Sequence, residues 1–471
     1  MTPAATDSPV YDGLPQPQRG RAMAVIIVAM IVSVLDGTIL NLALPGIARS
    51  LNASASHAVW VVNAYQIATL VLLLPLARLG EQIGFRRVYM AGMALFTVAS
   101  LGALLSSSLG WLIAARAVQG VGAAGLMSVN AALVRLTYPR SQLGRGMAIN
   151  SMVVAASSVA GPSVAAAVLA VADWPWLFAI NIPLGVAVLW LGWKALPANV
   201  GPALGDRIRV MDVLLNIGMF SFFFLGVDRL GVQDGQAGGR LDGWLWLGAG
   251  LLLGAVYMRR QWPMRVPLFP VDLLRIPVFA LSMGTSVSAF AAQMLAYIAL
   301  PFLLLDAFGR THVQAGLLLT AWPLAIVATA PIAGRLIGRV PDGLLGGIGL
   351  GLLAVGLALL ALLPDAPTNG DIAWRMALCG VGFGLFQSPN NHTIVTAPPP
   401  NRSGAASGML GTARLTGQTV GAVVLAAIFS VWDPHLRTGP EVALGVAAAF
   451  AAVSGVCSSL RLKTAGGHAT A

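Results

Sequence analysis

The sequence predicts an α-helical integral membrane protein that crosses the bilayer many times. Of the 471 residues, 57% are hydrophobic and only 10% are charged, whereas a soluble protein carries roughly 25% charged residues. The charges occur in short clusters between apolar runs of about 20 residues, the length that crosses a bilayer as a helix. Because lipid cannot satisfy free backbone polar groups, these runs favour helices as the spanning structure.

Fourteen apolar runs qualify as spans. They cover about 22–45, 57–79, 87–107, 110–137, 144–171, 174–195, 210–230, 243–258, 277–305, 312–337, 344–363, 372–396, 404–430 and 440–460. The first run is too long for the apolar part of a cleavable leader, so we expect it to be the first span. An even number of spans places both termini on the same side of the membrane.

Basic residues fall mostly on one side of these spans. Most of the 28 Lys and Arg lie in the tails and loops on the side of the termini. Five lie in loops on the opposite side, namely Arg49, Arg229, Arg240, Arg310 and Arg437. This asymmetry predicts cytoplasmic termini in the inner membrane of a bacterium. The net charge of +11 therefore reflects topology, and we expect no nucleic-acid partner.

The chain divides into two halves that repeat each other weakly. The fourth span carries Arg116 followed by Ala-Val-Gln-Gly-Val-Gly, and the twelfth carries Arg375 followed by Met-Ala-Leu-Cys-Gly-Val-Gly. Related halves with a site between them are typical of transporters. The predicted units are a cytoplasmic tail 1–21, a six-helix bundle 22–196, an inserted helix pair with linkers 197–276, a six-helix bundle 277–460 and a cytoplasmic tail 461–471.

Asp36 is the leading candidate for chemistry. Among the 17 acidic residues it alone lies deep inside a predicted span, where a carboxylate is costly and indicates a functional site. At roughly 1.5 Å per residue, Asp36 lies about 14 Å and Arg116 about 8 Å below the same membrane edge, so their side chains can meet. Burial favours the neutral acid and a nearby arginine favours the ionised form, a balance that suits proton exchange.

Two simpler interpretations of Asp36 stay open at this point. Thr38 and Asn41 can satisfy the carboxylate by hydrogen bonds without any role in transport. Alternatively, Arg116 can neutralise Asp36 permanently, as a static ion pair.

A substrate cavity needs a few polar groups on apolar walls. Nine polar or aromatic residues inside the spans are candidates to line it: Asn41, Asn63, Tyr65, Gln66, Gln293, Tyr297, Phe386, Gln387 and Asn390.

Six motifs in order along the chain carry a resemblance to a known family. They are Leu35 to Pro45, Trp60 to Tyr65, Leu79 to Arg87, Arg116 to Ala124, Gly161-Pro162, and Trp174 to Gly185. Together they resemble the fourteen-helix drug:proton antiporter branch of the major facilitator superfamily.

The resemblance implies two six-helix bundles around a central cavity, with two extra helices inserted between them. It also implies a monomer without cofactor or metal that exports small lipophilic drugs or toxic compounds by alternating access. In that function Asp36 binds and releases the proton, and Arg116 modulates it.

Two further motifs are expected to act in gating. Glu81, Gly84, Arg86 and Arg87 lie on a tight loop where charge pairs can hold helices in one state, although the two arginines can also serve topology alone. Gly161 and Pro162 permit a kink or close packing in the fifth span. The chain departs from the family pattern at Glu81, where Asp is usual, and at Pro175, where Arg is usual.

Other functions remain to be weighed against export of drugs. A dedicated exporter or a proton symporter of a single metabolite uses the same fold. A membrane enzyme is disfavoured because the five histidines are scattered and show no metal-ligand spacing. A receptor or scaffold is disfavoured because the predicted loops are short.

Overall fold

The computed structural model describes residues 13–139, 142–197, 209–231, 237–264, 269–398 and 403–466. In these ranges the chain forms sixteen α-helices, with bounds Gln18–Ser50 (α1), Ala55–Ala58 (α2), Trp60–Ile83 (α3), Phe85–Leu104 (α4), Leu109–Thr137 (α5), Leu143–Leu169 (α6), Trp176–Ala179 (α7), Asn181–Ala195 (α8), Val210–Gly231 (α9), Ala237–Gln261 (α10), Pro277–Phe302 (α11), His312–Leu336 (α12), Asp342–Ala361 (α13), Asn369–Thr396 (α14), Ser403–Phe429 (α15) and Thr438–Gly466 (α16). A 3-10 turn, Leu273–Arg275, precedes α11, and a π turn, Leu303–Ala307, ends it.

The predicted all-α membrane fold is confirmed. Each of the fourteen predicted spans overlaps a helix or a pair of short consecutive helices. In the described part of the chain, ten helical segments are long and apolar enough to cross a membrane, and 160–169 and 210–226 form shorter apolar helices. The eighth span is longer than its apolar run predicts, since α10 extends from Ala237 to Gln261.

Helix α1 begins inside the predicted amino-terminal tail. It starts at Gln18, and Arg19 donates from Nε to the Leu14 carbonyl oxygen at 3.0 Å. The polar residues before the apolar run therefore continue the helix beyond the hydrophobic part. Positions 1–12 and 467–471 of the predicted tails, and 198–208, 232–236 and 265–268 of the predicted linkers, lie outside the described residues.

The sixth span is broken into two helices. Helix α7 ends at Ala179 and α8 begins at Asn181, with Ile180 between them. Pro183 has no backbone N–H to donate to the preceding turn, which accounts for the break at this point. The break leaves Asn181 at the first position of α8.

The two ends of the molecule are packed differently. We call the end at which α1 begins and α16 ends the termini side, and the opposite end the far side. On the far side one hydrophobic core contains residues from both halves of the chain, such as Leu40 and Leu44 of α1 with Leu300 and Leu304. On the termini side the first half has a core around Tyr89, and the second half has a separate one.

Close contacts between helices of the two halves also join them on the far side. A Cβ built at Gly316 of α12 would lie 2.9 Å from the Pro162 carbonyl oxygen of α6, so the two backbones approach directly. Ser163 and Thr320 share a hydrogen bond of 2.8 Å between the same helices. At the ends of α1 and α11, Arg49 Nη1 lies 3.3 Å from Asp306 Oδ1.

Helices α9 and α10 pack against each other. A Cβ built at Gly226 would lie 2.3 Å from the Leu247 backbone nitrogen, which shows how closely the two backbones approach. Phe224 of α9 joins a small core with Leu73 of α3 and Leu415 of α15. The pair therefore lies beside the junction between α3 of the first half and α15 of the second.

Candidate functional site

Asp36 lies near the middle of α1 and is 2% exposed. Its Oδ2 accepts from Arg116 Nη1 of α5, and the two side chains form an ion pair with about 1% exposure each. The side chains that the depth estimate placed within reach of each other therefore meet directly. A charged pair at this depth is a functional candidate.

The second oxygen of the carboxylate is also occupied. Asp36 Oδ1 accepts from Gln119 Nε2 at 2.9 Å and from Asn181 Nδ2 at 2.8 Å. Gln119 Nε2 also lies 2.9 Å from Ser100 Oγ of α4. Both oxygens of the carboxylate therefore have hydrogen-bond donors, and one of these donors is a charged guanidinium, which makes that bond a strong one.

Arg116 is enclosed by groups that accept its protons. Its Nε donates to the Val61 carbonyl oxygen at 3.0 Å, and its Nη1 also reaches Gln119 Oε1. The guanidinium carbon lies 4.2 Å from the centre of the Tyr65 ring, a favourable cation–π distance. Tyr65 in turn donates to the Ser33 carbonyl oxygen at 3.4 Å.

The helices that carry these groups approach closely because α5 is rich in glycine. Arg116 and Gln119 are three residues apart and share one face of α5. A Cβ built at Gly120 would lie 2.4 Å from the Tyr65 carbonyl oxygen, and one at Gly122 would lie 2.6 Å from the Phe96 backbone nitrogen. Small residues at these positions let α5 contact α3 and α4 at backbone distance.

Three members of this network were missed by the sequence analysis as site residues: Gln119, Asn181 and Ser100. Gln119 lies inside the quoted Arg116 motif, and Asn181 lies inside the motif from Trp174 to Gly185. Polar side chains within apolar spans were the available signal, but hydropathy alone does not show which helix faces meet.

Two of the predicted cavity residues line a small cavity between the halves. Asn41 and Tyr297 share it with Thr38, Leu42, Pro162 and Leu319. Asn41 Oδ1 is buried and has no hydrogen-bond partner. The Tyr297 ring packs edge-on against Trp322, with 5.2 Å between ring centres.

Three other predicted cavity residues are buried on α3 and α11. Asn63 is fully buried, and neither of its amide atoms has a hydrogen-bond partner. Gln66 Nε2 lies 3.9 Å from Met294 Sδ of α11, a contact between the halves. Gln293 is buried on α11, one turn before Tyr297.

The three predicted residues of α14 have different surroundings. Phe386 is buried in the core and packs edge-on against Phe383 at 5.6 Å between ring centres. Gln387 is half-buried. Asn390 donates to Ser286 Oγ at 2.7 Å and accepts from Arg461 Nη1 at 2.8 Å, so its amide connects α11, α14 and α16.

The predicted gating loop forms a tight turn between α3 and α4. Gly84 has φ +106°, a left-handed conformation that favours glycine. Glu81 pairs with Arg78, three residues earlier on the same helix. Arg86 donates to the Trp193 carbonyl oxygen of α8, and Arg87 Nη1 donates to the Ile83 carbonyl oxygen at 3.2 Å.

The Gly161-Pro162 pair lies where α6 crosses α1. A Cβ built at Gly161 would lie 2.1 Å from Thr38 Oγ1, so only glycine fits without a shift of Thr38. The contact is two residues from Asp36 along α1. The pair therefore lies between the ion-pair site and the small cavity.

The fold and this site define a polytopic membrane transporter, with helices from two halves around a buried ion pair. A family model described as the Major Facilitator Superfamily matches residues 26–422. The chain belongs to this superfamily.

Three curated relatives align over most of their length. An "Uncharacterized transporter YebQ" of Escherichia coli is 49% identical over 96% of this chain and 97% of its own. The "Riboflavin transporter RibZ" of Clostridioides difficile is 28% identical, covering 88% and 89%. The "Multidrug efflux pump LfrA" of Mycolicibacterium smegmatis is 28% identical, covering 94% and 88%.

A solved structure has the same fold. It is a bacterial homologue of the human lysosomal transporter Spinster in an inward-facing, unoccupied conformation. It superposes with a TM-score of 0.67 at 13% identity, over 96% of this chain and 98% of its own.

Proposed function

We propose that this transporter belongs to the drug:proton antiporter branch and exports small lipophilic compounds from the bacterial cytoplasm by exchange for protons. The observation that carries the proposal is the carboxylate of Asp36, buried in the membrane region and held by Arg116, Gln119 and Asn181. Proton exchange needs a buried acid beside a partner that favours its ionised form, and Arg116 on Oδ2 is such a partner.

The arrangement of the cores supports alternating access by the two bundles. With the termini in the cytoplasm, as the basic residues predict, the shared core closes the periplasmic face. The separate cores on the termini side allow the two bundles to part there. Rocking of the bundles 22–196 and 277–460 about the site then exposes it to each side in turn. We propose a monomer as the working unit.

A second candidate function is transport of a single metabolite, by a dedicated exporter or by proton symport. It is favoured by the relative named as a riboflavin transporter, which aligns over 88% of this chain. The same carboxylate can serve either function, because the sign of the linkage between proton and substrate binding decides between exchange and symport.

A cell assay tests the proposal. A bacterial strain deleted for its own efflux pumps expresses the wild type, Asp36→Asn or, as a matched control, Asp173→Asn at an exposed site. The accumulation of fluorescent neutral, cationic and acidic compounds is measured with and without a protonophore. We expect the wild type and the control to lower accumulation of some of them several-fold, and Asp36→Asn and the protonophore to abolish the effect.

Two results would contradict export of drugs. A correctly inserted wild type that changes the level of no compound would show that the panel holds no substrate and that broad export is wrong. A wild type that raises the level of one compound would favour the second candidate, import by symport.

A further inference from the structure

A second arginine lies in the middle of the membrane region and takes no part in the Asp36 network. Arg414 is on α15, eleven residues after Ser403 and fifteen before Phe429. At roughly 1.5 Å per residue it is about 17 Å from one helix end and about 22 Å from the other. A charge at this depth is costly and is retained where it has a function.

The face of α15 that carries Arg414 is directed towards protein. Gly411 and Gly421 lie on the same face, since they are three and seven residues away. A Cβ at Gly411 would lie 3.4 Å from Leu73 of α3, and one at Gly421 would lie 3.0 Å from the Ala291 Cα of α11. Arg414 therefore points between the first-half helix α3 and the second-half helix α11, and away from lipid.

Arg414 has no counter-ion in the part of the chain that the structure describes. Its Nε is shielded from solvent and has no hydrogen-bond partner. The residue as a whole is half-buried. The face of α15 that carries Arg414 contacts α3, the helix whose Tyr65 ring packs against Arg116.

Two buried arginines in the described part of the chain, Arg116 and Arg461, show how this protein satisfies a buried cation. Arg116 is bound by Asp36, Gln119 and the Val61 carbonyl oxygen. Arg461 of α16 donates to Ser282 Oγ at 2.9 Å and to Asn390 Oδ1 at 2.8 Å. The protein supplies hydrogen-bond acceptors to each of these two side chains, whereas Arg414 Nε has no acceptor in the described residues.

We propose that Arg414 binds the acidic group of the substrate, and that the substrates are therefore amphipathic organic anions with a carboxylate, sulfonate or phosphate on an apolar body. The guanidinium presents a planar set of donors that matches such groups in a bidentate manner. Leu73 and Met294, which flank the glycines of this face, provide apolar surface for the body. This inference rests on the proposed transport function, but on neither its direction nor its coupling to protons.

The test is binding to the purified full-length protein in detergent, measured as a shift of the thermal unfolding midpoint. The probes are matched pairs of aromatic acids and their amides: 1-naphthoate with 1-naphthamide, 2-naphthalenesulfonate with its sulfonamide, and 1-pyrenebutyrate with its amide. We expect an acid to raise the midpoint where its amide does not. Arg414→Gln should remove this preference and Arg414→Lys should retain part of it.

Unfolding without ligand separates a binding role from a structural one. Removing an unpaired buried charge should leave the midpoint of Arg414→Gln at or above that of the wild type. The control Arg461→Gln should lower the midpoint, because it leaves hydrogen-bond partners unsatisfied, while it keeps the preference for acids. The proposal is overturned if no acid stabilises the wild type, if amides do so equally, or if Arg414→Gln keeps the preference.

Binding requires no proton gradient, so the outcome is independent of the proposed exchange. If the purified protein binds acids in preference to amides but the cell assay shows no proton-coupled export, only the proposed function is wrong. If the cell assay shows proton-coupled export but the purified protein does not prefer acids to amides, only the proposed role of Arg414 is wrong.

Discussion

A single buried ion pair organises the candidate site. Asp36 and Arg116 could be placed together from the sequence because the depth of each residue in its span follows from 1.5 Å per residue. Gln119 and Asn181 complete the site but were not predicted, since hydropathy gives the depth of a residue and not the direction in which its side chain points.

The ion pair of Asp36 and Arg116 leads to a prediction about the thermal stability of two variants. Arg116→Gln leaves Asp36 without a cation in a site where removal of one partner costs roughly 3–5 kcal/mol. We expect the thermal unfolding midpoint of the purified protein to fall. The double variant Asp36→Asn/Arg116→Gln should recover much of the loss, because no uncompensated charge remains.

An exposed arginine serves as the control for these single and double variants. Arg335→Gln, at an exposed position on α12, should leave the midpoint close to that of the wild type. A double variant as unstable as Arg116→Gln alone would show that Arg116 stabilises the fold without acting through Asp36.

Arg414 shows the limit of the sequence analysis at this scale. Only Arg116, the predicted partner of Asp36, was singled out among the arginines inside spans, because the sequence does not show which of them lacks a partner. Its significance depends on the absence of a carboxylate near α15 in the described part of the chain, which only the packing of α3, α11 and α15 reveals.

At the scale of helices, the apolar runs located the spans and their order well. Helix ends were less predictable. The polar start of α1 at Gln18 and the full extent of α10 lie outside the apolar runs, because a helix continues past the hydrophobic region when its backbone bonds are satisfied by the next turn. The break at Ile180 depends on Pro183, which apolar content does not reveal.

The crossing of α1 and α6 depends on Gly161. Gly161→Ala places a Cβ 2.1 Å from Thr38 Oγ1, so we expect lower stability and reduced transport in the cell assay. Thr38→Ala in the same chain should restore part of both by removing the hydroxyl. Gly46→Ala on α1, where nothing lies within 4 Å of a built Cβ, is the control. Equal effects at Gly46 and Gly161 would contradict the role of this contact.

At the scale of the whole molecule, the structure is closed on the far side. The shared core there and the pair of Arg49 with Asp306 join the halves, while the termini side has separate cores. The sequence predicted two related halves, but it contained no signal for the state in which they are packed. That state follows from side-chain contacts between residues far apart in the chain.

The charge of the site sets how a substrate and a proton are linked. With Asp36 ionised, its pair with Arg116 is neutral and Arg414 leaves one positive charge. Protonation of Asp36 leaves two cations, so an acidic substrate binds the protonated form more tightly. Binding of an acidic substrate at Arg414 therefore favours the second candidate, symport, over the proposed exchange, whereas exchange for protons is the expectation for a neutral substrate.

The most direct test of the central claim, that Asp36 couples transport to protons, is uptake into proteoliposomes with an imposed pH gradient. The probe is the compound whose level changes most in the cell assay. We expect gradient-driven accumulation by the wild type, with an acidic lumen for exchange or an alkaline lumen for cotransport. Asp36→Asn should lose this accumulation and keep the exchange of labelled for unlabelled compound across the membrane. Accumulation by Asp36→Asn that still follows the pH gradient would contradict the claim.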